Sequence, residues 1–215
     1  MNIGSSDHRG QDRLHARHLP DMPKGMPVPR EVWERQYQNG EWNYLESDDE
    51  AAHYQAIAQF YARHGAGHSV LDIGCGTGVM YRYLAAAGGM PPYRYTGIDL
   101  SAAALEQAAR REPYADFRQA DYSSESLDGK FGCIIFNETL YCFENPLTIL
   151  DRCARDNMEH NAVLIISMYG DHHDDIWHGI ARHHAVLDEA EVENARQVRW
   201  KIKVLRPHAV AHDIR

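Results

Sequence analysis

The chain reads as an α/β protein: a doubly wound, seven-stranded, mostly parallel sheet with helices on both faces and a C-terminal antiparallel hairpin. Three observations predict it. From residue 69 onward, short apolar runs alternate with helical stretches, the pattern of a parallel sheet covered on both sides. The first run, Val70-Leu71-Asp72-Ile73, passes directly into Gly74-Cys75-Gly76-Thr77-Gly78 and then a helix. Two extended stretches, residues 185–192 and 197–205, close the pattern with a short Asn194-centred connection between them.

Taken in order, residues 1–29 form a flexible N-terminal arm, with Pro20, Pro23, Pro27 and Pro29, several charges, and no periodicity. His8, His15 and His18 in that arm read as solvated side chains rather than a metal site. Residues 30–65 form a helical lid or cap. A short helix over 30–38 carries Trp33 and Tyr37, and Asn39-Gly40 breaks it. Ser47-Asp48-Asp49-Glu50 has the spacing of a capping box opening a longer helix. Tyr54, Ile57, Ala58 and Tyr61 fall on one face of that helix.

The main domain spans residues 66–207. Its strands are expected at 69–73, 93–98, 117–120, 132–136 and 162–168, followed by the hairpin. The last of the five parallel strands is a continuous apolar run, typical of a strand buried on both faces. Helices are expected at about 78–87, 102–111, 146–156 and 174–183. Ser101 caps the second of these and Pro146 starts the third. Residues 208–215 form a C-terminal tail.

At 215 residues the chain has room for one core. The net charge of −9 argues against a nucleic-acid partner, because a phosphate backbone requires a basic footprint. No apolar run approaches membrane-spanning length, and the polar N-terminus does not resemble a secretion signal. Cys75, Cys133, Cys142 and Cys153 have no paired metal spacing and read as reduced thiols, so a cytoplasmic location is expected and no metal is.

The chemistry concentrates at the glycine turn. A dinucleotide site reads G-x-G-x-x-G. Here the order is G-x-G-x-G, Val79 takes the place of the third dinucleotide glycine, and Asp72 sits two residues before the first glycine. The second strand runs into Gly97-Ile98-Asp99-Leu100-Ser101 and so ends on an acid. This combination resembles the S-adenosylmethionine (SAM) site of class I, Rossmann-like methyltransferases, and the resemblance extends over residues 51–207. It implies SAM as cofactor and S-adenosylhomocysteine (SAH) as product. Gly74, Cys75, Gly76 and Gly78 would bring backbone to the ligand, since glycine tolerates a tight turn and close approach. Asp72 would face the ammonium of SAM, directly or through water. Asp99, with Leu100 beside it, would take the ribose hydroxyls. Asp121 would accept from the adenine amino group, and Tyr122 would offer a backbone N–H to the ring. Asn137, after the fourth strand, would contact SAM beside the methyl group.

In open parallel sheets ligands lie at the carboxyl ends of the strands. On that ground Glu138, Tyr141 and His172 are candidate catalytic residues around the methyl acceptor, with Tyr169 beside them. Glu138 could orient the acceptor or take its proton; it could equally be an acid at a helix N-terminus. Tyr141 could be a core aromatic. His172 or His173 could serve as general base, because imidazole titrates near neutral pH, or the run 171–175 could simply cap a helix. Trp33, Tyr37, Trp42 and Tyr44 are expected to cover the site as a lid; the alternative is plain packing of the arm on the sheet. Trp42-Asn43-Tyr44-Leu45 looks like the compact arm of bacterial enzymes that modify small biosynthetic intermediates. The expected activity is methyl transfer to oxygen or nitrogen of a small molecule by a monomer or homodimer. Two alternatives stay open: a methyltransferase acting on a protein or carrier-bound substrate, and a non-catalytic SAM-binding regulatory protein.

Overall fold

A computed structural model describes residues 28–208. The arm, its three histidines and the tail beyond His208 therefore lie, but for Val28 and Pro29, outside the described residues. The chain runs through helix α1 (Arg30–Gln38), two short 3-10 turns (Asn43–Glu46 and Asp48–Glu50) and helix α2 (Ala51–Phe60), which continues through a π turn (Tyr61–Gly65). Strand β1 (Val70–Ile73), helix α3 (Val79–Gly88), strand β2 (Tyr95–Asp99), helix α4 (Ala102–Arg111) and strand β3 (Asp116–Gln119) follow. Then come β4 (Phe131–Asn137), α5 (Pro146–Asp156), β5 (Met158–Tyr169), α6 (Asp174–His183), β6 (His184–Glu193) and β7 (Arg199–Pro207).

The seven strands form one sheet in the order β3-β2-β1-β4-β5-β7-β6. The first five are parallel, and β7 lies antiparallel between β5 and β6. The order reverses between β1 and β4, which opens a crevice at their carboxyl ends. One core packs α2 and α3 against β1, β5 and β7, with Ile57, Phe60, Leu84, Val70, Ile165 and Trp200 fully buried. The other packs α5 and α6 on the opposite face, with Leu150, Ile180, Ile134 and Ile166 at its centre.

Several local readings change. The Ser47–Glu50 capping box does not form: Ser47 makes no side-chain cap bond, and Glu50 turns inward to be buried, 3.8 Å from His53. Tertiary packing outweighs the local cap. β5 begins four residues earlier than its apolar run, at Met158, which pairs with Phe131 before a register shift carries the exposed residues 159–161 past the ladder and pairing resumes at Val163. The 30–65 cap divides. Residues 51–65 belong to the core, whereas α1 and the first 3-10 turn lie over the sheet's carboxyl edge, where α1 packs on α4.

Candidate active site

A single cavity of about 350 Å³ lies at the carboxyl ends of β1, β2, β4 and β5. Its first wall is the glycine turn. Gly74, Gly76 and Gly78 all have positive φ (75°, 53° and 76°), and Gly78 caps α3 in the left-handed conformation. A Cβ on Gly74 would overlap Thr139 Cγ2 of the β4 loop; one on Gly76 would stand 2.7 Å from Tyr37 Oη of α1. Gly74 and Gly76 are thus required for packing against the β4 loop and the cap, a constraint the spacing alone does not reveal.

Asp72 is buried in the floor. Tyr95 Oη donates to its Oδ2 at 2.6 Å, and its Oδ1 has no hydrogen-bond partner among the described residues. Burial pushes its carboxyl up to about 7, opposed by the Tyr95 bond and reinforced by the charge of Asp99. A buried carboxylate oxygen without a donor is a place for a cationic group. Asp99 ends β2 and accepts the N–H of Gly76 (2.9 Å, Oδ2) and of Ser101 (2.8 Å, Oδ1), which fixes its plane against the turn. Burial raises its pKa, opposed by those backbone donors. Leu100 and Cys75 complete this wall.

Asp121 and Tyr122 follow β3 into the cavity lining. Asp121 is engaged locally: Ser123 N–H and Oγ donate to Oδ1, and Ser124 Oγ donates to Oδ2 at 2.8 Å. A carboxylate has about four acceptor positions, so one is left for an external donor. The Tyr122 side chain points into the core, donating to Asn157 Oδ1 at 2.8 Å under the Arg152 guanidinium.

The opposite wall comes from the ends of β4 and β5. Asn137, Glu138, Tyr141 and Tyr169 line the cavity. Glu138 has φ 59°, outside any helix, so it is not a helix-N-terminal acid. Its Oε2 accepts the Tyr169 N–H (3.0 Å) and the Tyr141 hydroxyl (3.2 Å). Ser167 Oγ lies 2.7 Å from both Glu138 Oε1 and Asn137 Oδ1. Its single proton serves one of them at a time; with the Asn137 amide turned over, that proton is free for Glu138.

His172 is not brought to this wall. It is exposed, outside the cavity lining, and edges the Tyr169 ring at 5.3 Å. The positive φ of Gly170 (69°) turns the chain so that His173, not His172, stacks on Tyr141, with centroids 4.5 Å apart.

The roof is aromatic. Trp42 stands between Trp33 (5.5 Å), Tyr37 (6.1 Å) and Tyr44 (6.0 Å), and all four line the cavity. Two acids fasten this segment. Glu34 accepts from Ser101 Oγ (2.7 Å) and the Ala103 N–H (3.2 Å) at the start of α4; Glu46 meets Arg111 at 2.5 Å and Thr77 Oγ1 at 3.2 Å.

Sequence reasoning missed four contributors: Ser167, Thr139, Tyr95 and Glu34. Ser167 had a signal, being the lone hydroxyl near the end of an apolar strand. Glu34 had none, because its partner lies 67 residues away.

Residues 44–206 match the family model described as a methyltransferase domain, most of the chain. This chain belongs to that methyltransferase family. It has the class I fold, and SAM is the family's cofactor. A ubiquinone biosynthesis O-methyltransferase of Thiobacillus denitrificans is 33% identical over 97 residues, 42% of this chain and 40% of that protein. The matched stretch thus spans about two fifths of that relative's length. Among solved structures, the N-methyltransferase NodS of Bradyrhizobium japonicum with SAH is similar at TM-score 0.67 and 16% identity, covering 83% of this chain and 97% of that one. The magnesium protoporphyrin IX methyltransferase of Synechocystis with SAH has TM-score 0.66 and 16% identity, covering 84% and 100%. Among the described residues there is no cluster that could hold a metal ion, and no helix is long and apolar enough to cross a membrane.

Proposed function

We propose that the chain transfers the methyl group of SAM to an oxygen or nitrogen of a small-molecule biosynthetic intermediate. One observation carries this reading: a single cavity of about 350 Å³ joins the glycine turn and its acids to the Glu138–Tyr141–Tyr169 wall. The volume falls within the range of small-molecule pockets, about 300–1,000 Å³. Bound SAM supplies an electrophilic methyl carbon on a sulfonium.

The chain's residues do the rest. The unpartnered Oδ1 of Asp72 receives the ammonium, and the backbone around Cys75–Gly78, at the start of α3, suits the carboxylate. Asp99 takes the ribose hydroxyls beside Leu100; Asp121 and Tyr122 flank the adenine. Asn137 sits beside the methyl group. Trp33, Tyr37, Trp42 and Tyr44 form a lid that excludes water, which matters because alignment and dehydration supply most of the rate in such a displacement. Glu138 orients the acceptor and accepts its proton, with Tyr141 fixing the carboxylate.

The test is incubation of the protein and methyl-labelled SAM with small-molecule and protein fractions of a bacterial extract, with products identified by mass spectrometry. Label in a small molecule is the expected result. Label in protein bands would move the assignment to a macromolecular substrate. SAM binding without transfer to any fraction would make the chain a SAM-binding regulator.

A further inference from the structure

Three acids stand in the cofactor half of the cavity wall, and they are supported differently. Asp99 accepts two backbone N–H groups and Asp121 accepts one. Asp72 accepts a single bond among the described residues, from the Tyr95 hydroxyl to Oδ2 at 2.6 Å, and its Oδ1 has no hydrogen-bond partner among them. A carboxylate has about four acceptor positions, so most of the capacity of Asp72 is unused. The residue is 1% exposed, and burial without donors disfavours the charged form. The charge it presents at the cavity therefore depends on Tyr95.

Tyr95 reaches Asp72 through the register of the sheet. On the β1–β2 ladder Asp72 stands opposite Gly97, and Val70 stands opposite Tyr95. Side chains alternate along a strand, so Tyr95 shares a face with Gly97 and lies on the side to which Asp72 points. The ring is fully buried, with Tyr81 at 5.0 Å and Phe117 edge-on at 5.9 Å, which leaves it little freedom to turn away. Burial first, then the charge of Asp72, raises the phenol far above its ordinary value, so it keeps its proton and donates. The length of 2.6 Å is that of a charge-assisted O–H···O⁻ bond. Tyr95 does not itself line the cavity.

The other titratable groups facing Asp72 do not replace this contact. Asp99 repels its charge. Cys75 of the glycine turn, Cys133 of β4 and Tyr54 of α2 are all raised by burial and stay neutral.

We infer that Tyr95 is a positioning residue of the cofactor site: its hydroxyl ties down Oδ2 of Asp72, keeping the carboxylate charged and leaving Oδ1 to the SAM ammonium. The inference rests on the methyl-transfer reading above and adds to it a residue outside the cavity that acts only through Asp72. Tyr95→Phe removes the bond that favours the charged form, so the carboxyl takes up its proton at a higher pH.

Calorimetry on the full-length protein with two ligands tests this: SAH, and deamino-SAH, which lacks only the amino group. In the wild type, SAH affinity should fall on acidification below about pH 7, and deamino-SAH affinity should not. Tyr95→Phe should weaken SAH binding about fivefold or more at neutral pH and move the midpoint of its pH dependence up by about one unit or more. Deamino-SAH should stay within about twofold, a split that a purely structural role would not produce. Should Tyr95→Phe not fold, a crystal structure of the wild-type SAH complex decides. Tyr95 Oη on one Asp72 oxygen, with the amino group or a water it holds on the other, is the expected arrangement; an amino group held away from Asp72 overturns the inference. It is equally overturned if Tyr95→Phe weakens both ligands alike, if the SAH profile does not move, or if the two ligands share one pH profile in the wild type. Failure of the folded wild type to bind SAH at all would instead defeat the methyl-transfer reading itself.

Discussion

At the ends of β1 and β2 the cavity wall is made of backbone and acids: three left-handed glycines, Asp72 with one oxygen unpartnered, and Asp99 clamped by two N–H groups. At the ends of β4 and β5 it is made of side chains that hold one another: Glu138, Ser167, Tyr141 and Tyr169. The first wall has little freedom to change, because its shape is set by φ values only glycine adopts easily. The second can be altered one side chain at a time without disturbing the turn. On the proposed reading, a cofactor half of fixed shape and an acceptor half adjustable by substitution follow from that difference.

The comparison breaks at one point, where the halves touch. Gly74→Ala would drive a Cβ into Thr139 and require φ 75° of alanine. It should destabilise the fold by about 2–4 kcal/mol and damage both SAM binding and turnover. Thermal unfolding with SAM titration checks it; a stable variant with normal SAM affinity would mean the two walls are independent even there.

Asp99→Ala should affect the first wall alone. Loss of hydrogen bonds to a charged acceptor predicts SAM affinity weaker by about 2 kcal/mol, some thirtyfold. Turnover at saturating SAM should change far less. Calorimetry and single-turnover rates separate the two quantities.

Asp72 sharpens the comparison through pH. Its carboxyl, pushed up to about 7 by burial, is protonated in the free protein below that pH. SAM's ammonium favours the ionised form, so SAM binding should weaken as pH falls below about 7, by at most about tenfold per unit. Asp72→Asn should flatten that dependence. The effect on stability has the opposite sign. The folded carboxyl keeps its proton where the unfolded one has released it, so its contribution is present at low pH and is lost as pH rises from about 4 to 7.

Smaller effects fall on the second wall. Tyr141→Phe removes one of three donors to Glu138 and should lower turnover by about 1 kcal/mol, roughly fivefold, with SAM affinity unchanged. His172→Ala should leave turnover within about twofold, since the side chain is exposed and outside the cavity. A large loss on that substitution would return His172 to the acceptor site.

The parallel sheet is legible because β1, β4 and β5 carry apolar runs of their own and the helices between carry their own signals, although β3 (Asp116–Gln119) is mostly polar; Ser101 does cap α4, donating in turn to Glu34. The positions of Asp72, Asp99 and Asn137 followed from strand ends and resemblance. The acceptor wall was less legible. Which of two adjacent histidines meets Tyr141 depends on the backbone turn at Gly170, and sequence spacing carries no record of that sign of φ. Glu50 has the spacing of a cap because capping is local, yet it serves the interior beside His53. Glu34 reached α4 through packing of α1, which no local pattern encodes.

The place of β7 has a consequence for the order in which the molecule can be made. β6 precedes β7 in the chain but touches the sheet only through it. During synthesis, residues 184–193 therefore have no sheet partner until 199–207 have emerged. Trp200, which arrives with β7, is fully buried and stacks on His53 of α2 at 4.7 Å. The first βα units can assemble early, with α2 able to pack on α3, whereas the cover that Trp200 and β6 give to α2 awaits the last strand. A ribosome-stalled chain ending before residue 199 should leave residues 184–193 readily cleaved and α2 cleaved faster than in the whole chain, while β1 and β2 are protected.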